Sequence, residues 1–179
     1  MVSAKFWAQV GVSVTGAVYI NHLDPLGKNA PYQIAMVDLT YAGLPGQVEQ
    51  LWLNSLDDRR FRIACIPFCA YGLAYLDEVV LDPDGMFVQN LVAFSGNRVL
   101  RALVHEGGGD SADEVCGSIK SVAADLGLGV EMHGERFLAF DIPRHVDVRQ
   151  LVDVMASWAN RGALNFEWSD VRSFVYSRG

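Results

Sequence analysis

The stretch SADEVCGSIKSVAADLG, Ser111 to Gly127, is where the chain changes its period. Val115, Ile119, Val122 and Leu126 stand at i, i+4, i+7 and i+11, one face of an α-helix. Ser111 and Glu114 have the spacing of a capping box, and Gly127 falls where a left-handed residue ends a helix. Upstream the pattern is different. FWAQVGVSV, AVYINHL, YQIAMVDLTY, VEQLWLNSL, RFRIACIPF, DEVVL, MFVQNLVAF and RVLRALVHE are short apolar or alternating runs rich in Val, Ile, Phe and Tyr. These are strand patterns. LDPDG (Leu81 to Gly85), SGN (Ser95 to Asn97) and LPG (Leu44 to Gly46) are turn sequences between them. Several short strands without a helical period suggest a small barrel or a strongly curled sheet.

Downstream of Gly127, GVEMHG and RFLAFDIP read as two strands. Asp147 with Gln150 marks a second helix start, and Val148, Leu151, Val152, Met155 and Ala159 form its apolar stripe up to Gly162. LNFEWSDV is a last strand. With RVLRALVHE counted first, the order is β-α-β-β-α-β. The predicted fold is therefore α+β. An N-terminal antiparallel β-barrel-like half spans residues 1–97, with 1–32 an extension. A ferredoxin-like half spans residues 98–179, and the two pack as one unit.

The 179 residues suffice for a sizeable core, and 51% hydrophobic with 20% charged content is that of a folded domain. The net charge is −7, spread over both halves with no basic block. That disfavours nucleic acid and anionic membranes and favours a basic protein partner. No apolar run reaches the ~18–20 residues a membrane span needs. Three cysteines, an odd number, argue against a disulfide framework and for a reduced, cytoplasmic setting.

Cys65 and Cys69 flank Pro67. In an extended stretch they would lie ~13 Å apart, and Pro67 argues against a helix that would bring them together. Cys116 and four scattered histidines supply no second knuckle for zinc. No metal or cofactor is expected, and both cysteines read as small core hydrophobes.

Two candidate sites remain. The loop EGGGDSADE carries Glu106, Asp110, Asp113 and Glu114 into the first helix. Its acids answer the positive helix end and would repel phosphate, so it reads as a flexible connector into a capped helix or, functionally, as an acidic patch that meets a cationic partner. The SGN turn, with Ser95, Asn97, Arg98 and Arg101, is a candidate anion site, since a turn nest beside arginines can hold a small anion.

The succession of Leu51-Trp52, RFRIACIPF, YGLAYLDEVV, SGNRVLR and FLAFDIP resembles an uncharacterised bacterial domain family over roughly residues 33–170. Members of that family commonly carry Gly-Asp before the valine strand, where this chain has Leu76-Asp77. The resemblance implies a fold and no stated activity. The expected function is that of an immunity or antitoxin protein, which binds a basic toxin, such as a nuclease, and blocks its active site. The alternative is a regulatory domain that binds a small anion or metabolite.

Overall fold

The computed structural model describes residues 18–28, 31–105 and 111–176. Among them lie ten strands in two sheets and two α-helices. The strands are β1 (Val18–Asn21), β2 (Tyr32–Asp38), β3 (Gln47–Ser55), β4 (Arg60–Ile63), β5 (Glu78–Leu81), β6 (Val88–Ala93) and β7 (Arg98–Val104), then β8 (Gly129–His133), β9 (Phe137–Ile142) and β10 (Leu164–Trp168). The helices are α1 (Ala112–Asp125) and α2 (Arg149–Asn160). The period change at Ser111 is thus a change from sheet to helix. No described helix is long and apolar enough to cross a membrane.

The first sheet holds β1 to β6, and β3 is its hub. β3 pairs along its length with β2 in antiparallel register. On its other edge it pairs first with β1, then with β4. The β1 pairing is parallel, so this half is not wholly antiparallel. Nor is it a closed barrel. A single bridge, Met36 to Phe87, brings β2 against the β5–β6 turn. β6 otherwise pairs only with β5 among the described residues, and its register slips at two points. Such irregularities twist an edge strand away from its neighbours, which leaves the sheet curled but open.

The second sheet has the order β10-β7-β9-β8, antiparallel throughout. Its strands alternate strictly. Leu100, Ala102, Val104, Leu138, Phe140 and Ile142 face a core shared with the apolar stripes of α1 and α2. Val99, Phe137 and Ala139 face the core of the curled sheet. A period of two buries both faces of this sheet. The result is three layers, with the four-stranded sheet in the middle.

The turn sequences act as read. Gly46, Gly85 and Gly96 all have positive φ. Asp82 accepts the N–H groups of Met86 and Phe87 and so closes the β5–β6 turn. Ser111 holds the N-cap position of α1 but makes no side-chain capping bond. RFRIACIPF does not continue as a strand. β4 ends at Ile63, and residues 64–74 form a buried irregular segment.

Leu76 is the non-glycine with positive φ, +67°, among the described residues. It stands at the step where the resembled family commonly has glycine. A left-handed L-residue costs about 1–2 kcal/mol, part of which glycine returns as chain entropy. Leu76 is 38% exposed, so little packing is at stake. Leu76→Gly is expected to raise the urea midpoint by the equivalent of about 0.5–1 kcal/mol. A lowered midpoint would show that the leucine side chain outweighs the backbone strain.

Candidate functional site

Two polar constellations stand out. The first is buried and holds the layers together. Glu49 lies at an inward position of β3, in line with Leu51 and Leu53, and is fully buried. Its carboxylate accepts the N–H groups of Phe68 (2.5 Å), Cys69 (2.8 Å) and Ala70 (2.6 Å). Glu131, inward on β8, accepts the N–H groups of Leu26 and Ile66, each at 2.9 Å. His22 bridges the two acids, with Nδ1 2.6 Å from Glu131 and Nε2 3.1 Å from Glu49. Phe68 stacks on the imidazole at 4.2 Å.

A histidine whose two ring nitrogens both meet carboxylates is an imidazolium, since each nitrogen must donate. Burial disfavours that charge, but its polar neighbours, the Glu131 and Glu49 carboxylates among them, outweigh it and raise the His22 pKa well above 6.5. Burial would raise Glu49, but the His22 bond and charge, with Arg101 behind, bring it below 4.5. Cys65 and Cys69 are buried free thiols whose pKa values rise through burial, for Cys69 with the Glu49 charge adding. A thiol held protonated is a poor nucleophile. This cluster is a structural clamp that ties β3, β8, the segment after β1 and the 64–70 segment together.

The sign of its pH dependence follows. The contribution of His22 is fully present below the unfolded value near 6.5 and is lost as pH rises through its raised folded value. That of Glu49 is present above 4.5 and is lost as pH falls through its lowered folded value. The urea midpoint is therefore expected to fall on both the acid and the alkaline side. In His22→Gln the alkaline decline should flatten, and an unchanged alkaline arm would place its origin elsewhere.

The second constellation is open. A cleft of about 560 Å³ runs between β6 and the C-terminal segment. Leu73, Asn90, Leu91 and Phe94 line one side, the 96–98 turn lines its end, and Ser169, Asp170, Arg172, Ser173, Phe174 and Tyr176 line the other. Gly72 has φ +72°, and a methyl group there would meet the Phe174 nitrogen at 2.2 Å. Only glycine lets the buried segment and the C-terminal segment touch. Phe94 is 80% exposed at the cleft.

The SGN residues reach this cleft unequally. Ser95 is wired to Asp77: its N–H lies 2.7 Å and its Oγ 2.9 Å from Oδ1, while Ala74 N–H serves Oδ2. Asn97 donates to Asp141, whose pKa burial pushes up to about 6, the Asn97 bond opposing and Asp77 adding. Arg98 makes a two-pronged pair with Asp170 at 2.6 and 3.0 Å and lies over the Trp168 ring. Arg101, three residues further, takes the opposite sheet face, as odd spacing on a strand requires. It is wholly buried, donates to the Ala70 carbonyl at 2.8 Å and lies against the Tyr71 ring. So Asn97 and Arg98 line the cleft and Arg101 does not.

Asp113 and Glu114 stand exposed in the first turn of α1. Glu106 and Asp110 lie outside the described residues. Among the described residues no group of three or more His, Cys, Asp or Glu has the geometry to hold a metal ion.

The clamp was hidden in the sequence, where its histidine and acids lie up to 109 residues apart. The one local signal is Glu49 at an apolar-face position of QVEQLWL. Arg172 and the C-terminal wall of the cleft carry no local signal at all.

A family model described as Domain of unknown function (DUF4265) matches residues 49–166. The chain belongs to this family. The matched region begins at Glu49 and contains Glu131, while His22 comes from the preceding segment, so the clamp joins that segment to the family domain. No curated protein matches the chain. A solved structure, a hypothetical protein from Neisseria gonorrhoeae, is similar with a TM-score of 0.58 and 19% identity, over 84% of this chain and 100% of that one. At that identity the likeness concerns the fold alone.

Proposed function

We propose that this protein is a regulatory binding domain that takes a small ligand in the cleft between β6 and the C-terminal segment. One observation carries the reading: a cleft of about 560 Å³ receives side chains from both sheets and from the chain's end. That volume is in the range of small-molecule sites, which combine apolar walls with a few convergent polar groups. A ligand there would bridge the curled sheet and the four-stranded sheet. The β-α-β-β-α-β order and the β10-β7-β9-β8 neighbours support reading residues 98–179 as the ferredoxin-like half, beside a curled mostly-β half at 1–97.

The test is a thermal-shift panel of metabolites with the purified protein. A binder stabilises by RT ln(1 + [L]/Kd), about 2.7 kcal/mol at a hundredfold excess over Kd. The stabilisation should shrink in Phe94→Ala, which strips exposed apolar surface from the cleft. A panel of organic anions, cations and neutral metabolites that moves nothing would end this reading.

A second reading keeps the immunity-type function, in which the protein covers the active site of a basic toxin. The net charge of −7 and the exposed pair Asp113 and Glu114 favour it, since acidic side chains speed encounter with a basic partner. Replacing Asp110, Asp113 and Glu114 with Asn, Asn and Gln should then weaken a toxin complex and flatten its salt dependence. Unchanged affinity would remove that loop from the interface.

A further inference from the structure

We infer that the ligand of the cleft is a small organic acid with an apolar or aromatic body, its carboxylate held by Arg172. The inference rests on the ligand-binding reading and names its chemical class. It follows from the charges on the cleft walls. Among the described residues, four charged ones line the cleft: Asp77, Asp170, Arg98 and Arg172. Asp77 is spent inward, on the N–H groups of Ser95 and Ala74 and the Ser95 hydroxyl, and is buried. Asp170 and Arg98 occupy each other in a two-pronged pair. Arg172 donates Nη1 to the Ala42 carbonyl at 3.0 Å and rests against the Tyr71 ring, 5.1 Å from its centroid. No carboxylate of the described residues lies within ion-pair distance of it.

Among the described residues Arg172 is therefore the cation of the cleft whose charge is left unmatched. A guanidinium with one nitrogen anchored on a carbonyl and its carbon over an aromatic ring is held in place while other N–H groups stay free to donate. Planar carboxylates fit such a fork, and charge-assisted bonds to them are the stronger class. The rest of the lining favours an apolar body. Leu73, Leu91, Phe94 and Phe174 supply apolar surface, and Phe94 is 80% exposed. A cationic ligand would face Arg172 without a free acid to answer it.

The experiment titrates three probes of one shape into the ¹⁵N-labelled full chain: 3-phenylpropionate, its neutral amide, and phenethylammonium. Amide shifts are followed at Leu73, Leu91, Phe94 and Ser173. The expected result is saturable binding of the acid alone, weakened about tenfold or more in Arg172→Gln. Equal binding of the acid by Arg172→Gln would overturn the role of Arg172. Equal or tighter binding of the amide or the ammonium probe would overturn the ligand class and leave the cleft reading standing. No shifts from any probe to millimolar concentration would overturn both. The comparison of the three probes needs only the wild-type chain, so it stands even where Arg172→Gln folds poorly.

Discussion

Replacing Glu49 with alanine is expected to lower the unfolding free energy by about 3–5 kcal/mol, because it removes one partner of a buried charged cluster. The variant strips three buried N–H groups, at Phe68, Cys69 and Ala70, of their acceptor. It also leaves the His22 imidazolium with Glu131 as its sole carboxylate. His22 lies between Glu49 and Glu131, while Arg101 adds a positive charge behind Glu49 and meets Glu167 at 3.8 Å. Removing Glu49 leaves the buried His22 charge with less compensation. Urea unfolding at pH 6 measures the loss, and a double-mutant cycle with His22→Gln isolates the pair. Neighbours in one network couple by about 0.5–3 kcal/mol. A loss below 1 kcal/mol, or additive single variants, would show that the cluster does not carry the weight assigned to it. Glu49→Gln keeps the shape and one acceptor oxygen, so its cost should be smaller.

Gly72→Ala is expected to disable the cleft and to destabilise the fold together. The left-handed backbone at φ +72° alone costs a non-glycine residue about 1–3 kcal/mol. The added methyl would also lie 2.2 Å from the nitrogen of Phe174 and 2.8 Å from the carbonyl carbon of Ser173. Both are backbone atoms, which no rotamer change can clear, so the C-terminal segment must shift. That segment carries Arg172, Ser173, Phe174 and Tyr176 to the cleft. The expected result is a lowered urea midpoint, amide shift changes along residues 172–176, and loss of probe binding. A native spectrum with intact binding would mean that the C-terminal segment does not seat against Gly72 as described. The contrast with Gly46 and Gly134 is a control, since a methyl there meets nothing within 4 Å and pays the backbone cost alone.

These two variants separate what is legible in a sequence from what is not. The helix over Ser111 to Gly127 is legible because its signals are local: an apolar face at helical spacing and a terminal glycine at φ +67°. The turn at Asp82–Gly85 is legible for the same reason, since its hydrogen bonds close within five residues, and the Ser95–Asn97 turn shows its local part in Gly96 at φ +87° and the Asn97 N–H to Ser95 bond. The anion candidate shows the limit. Arg98 and Arg101 are neighbours in sequence, yet odd strand spacing sends one to the cleft edge and the other into the core. That much was available from the pleat. The partners that occupy them, Asp170 and Ala70, lie 72 and 31 residues away.

By itself the sequence determined a mixed α+β fold, the positions of both helices, and the turns that join the strands. Periodicity and turn chemistry act within a few residues, and each segment carries its own signal. The tertiary structure alone decided that the first sheet stays open, that β1 runs parallel to β3, and that His22, Glu49 and Glu131 meet. It also decided that Arg98 pairs with Asp170 while Arg172, among the described residues, has no carboxylate within ion-pair distance. These outcomes depend on which distant segments share a buried space, and charge matching there is a property of the packed neighbours rather than of any one stretch of chain.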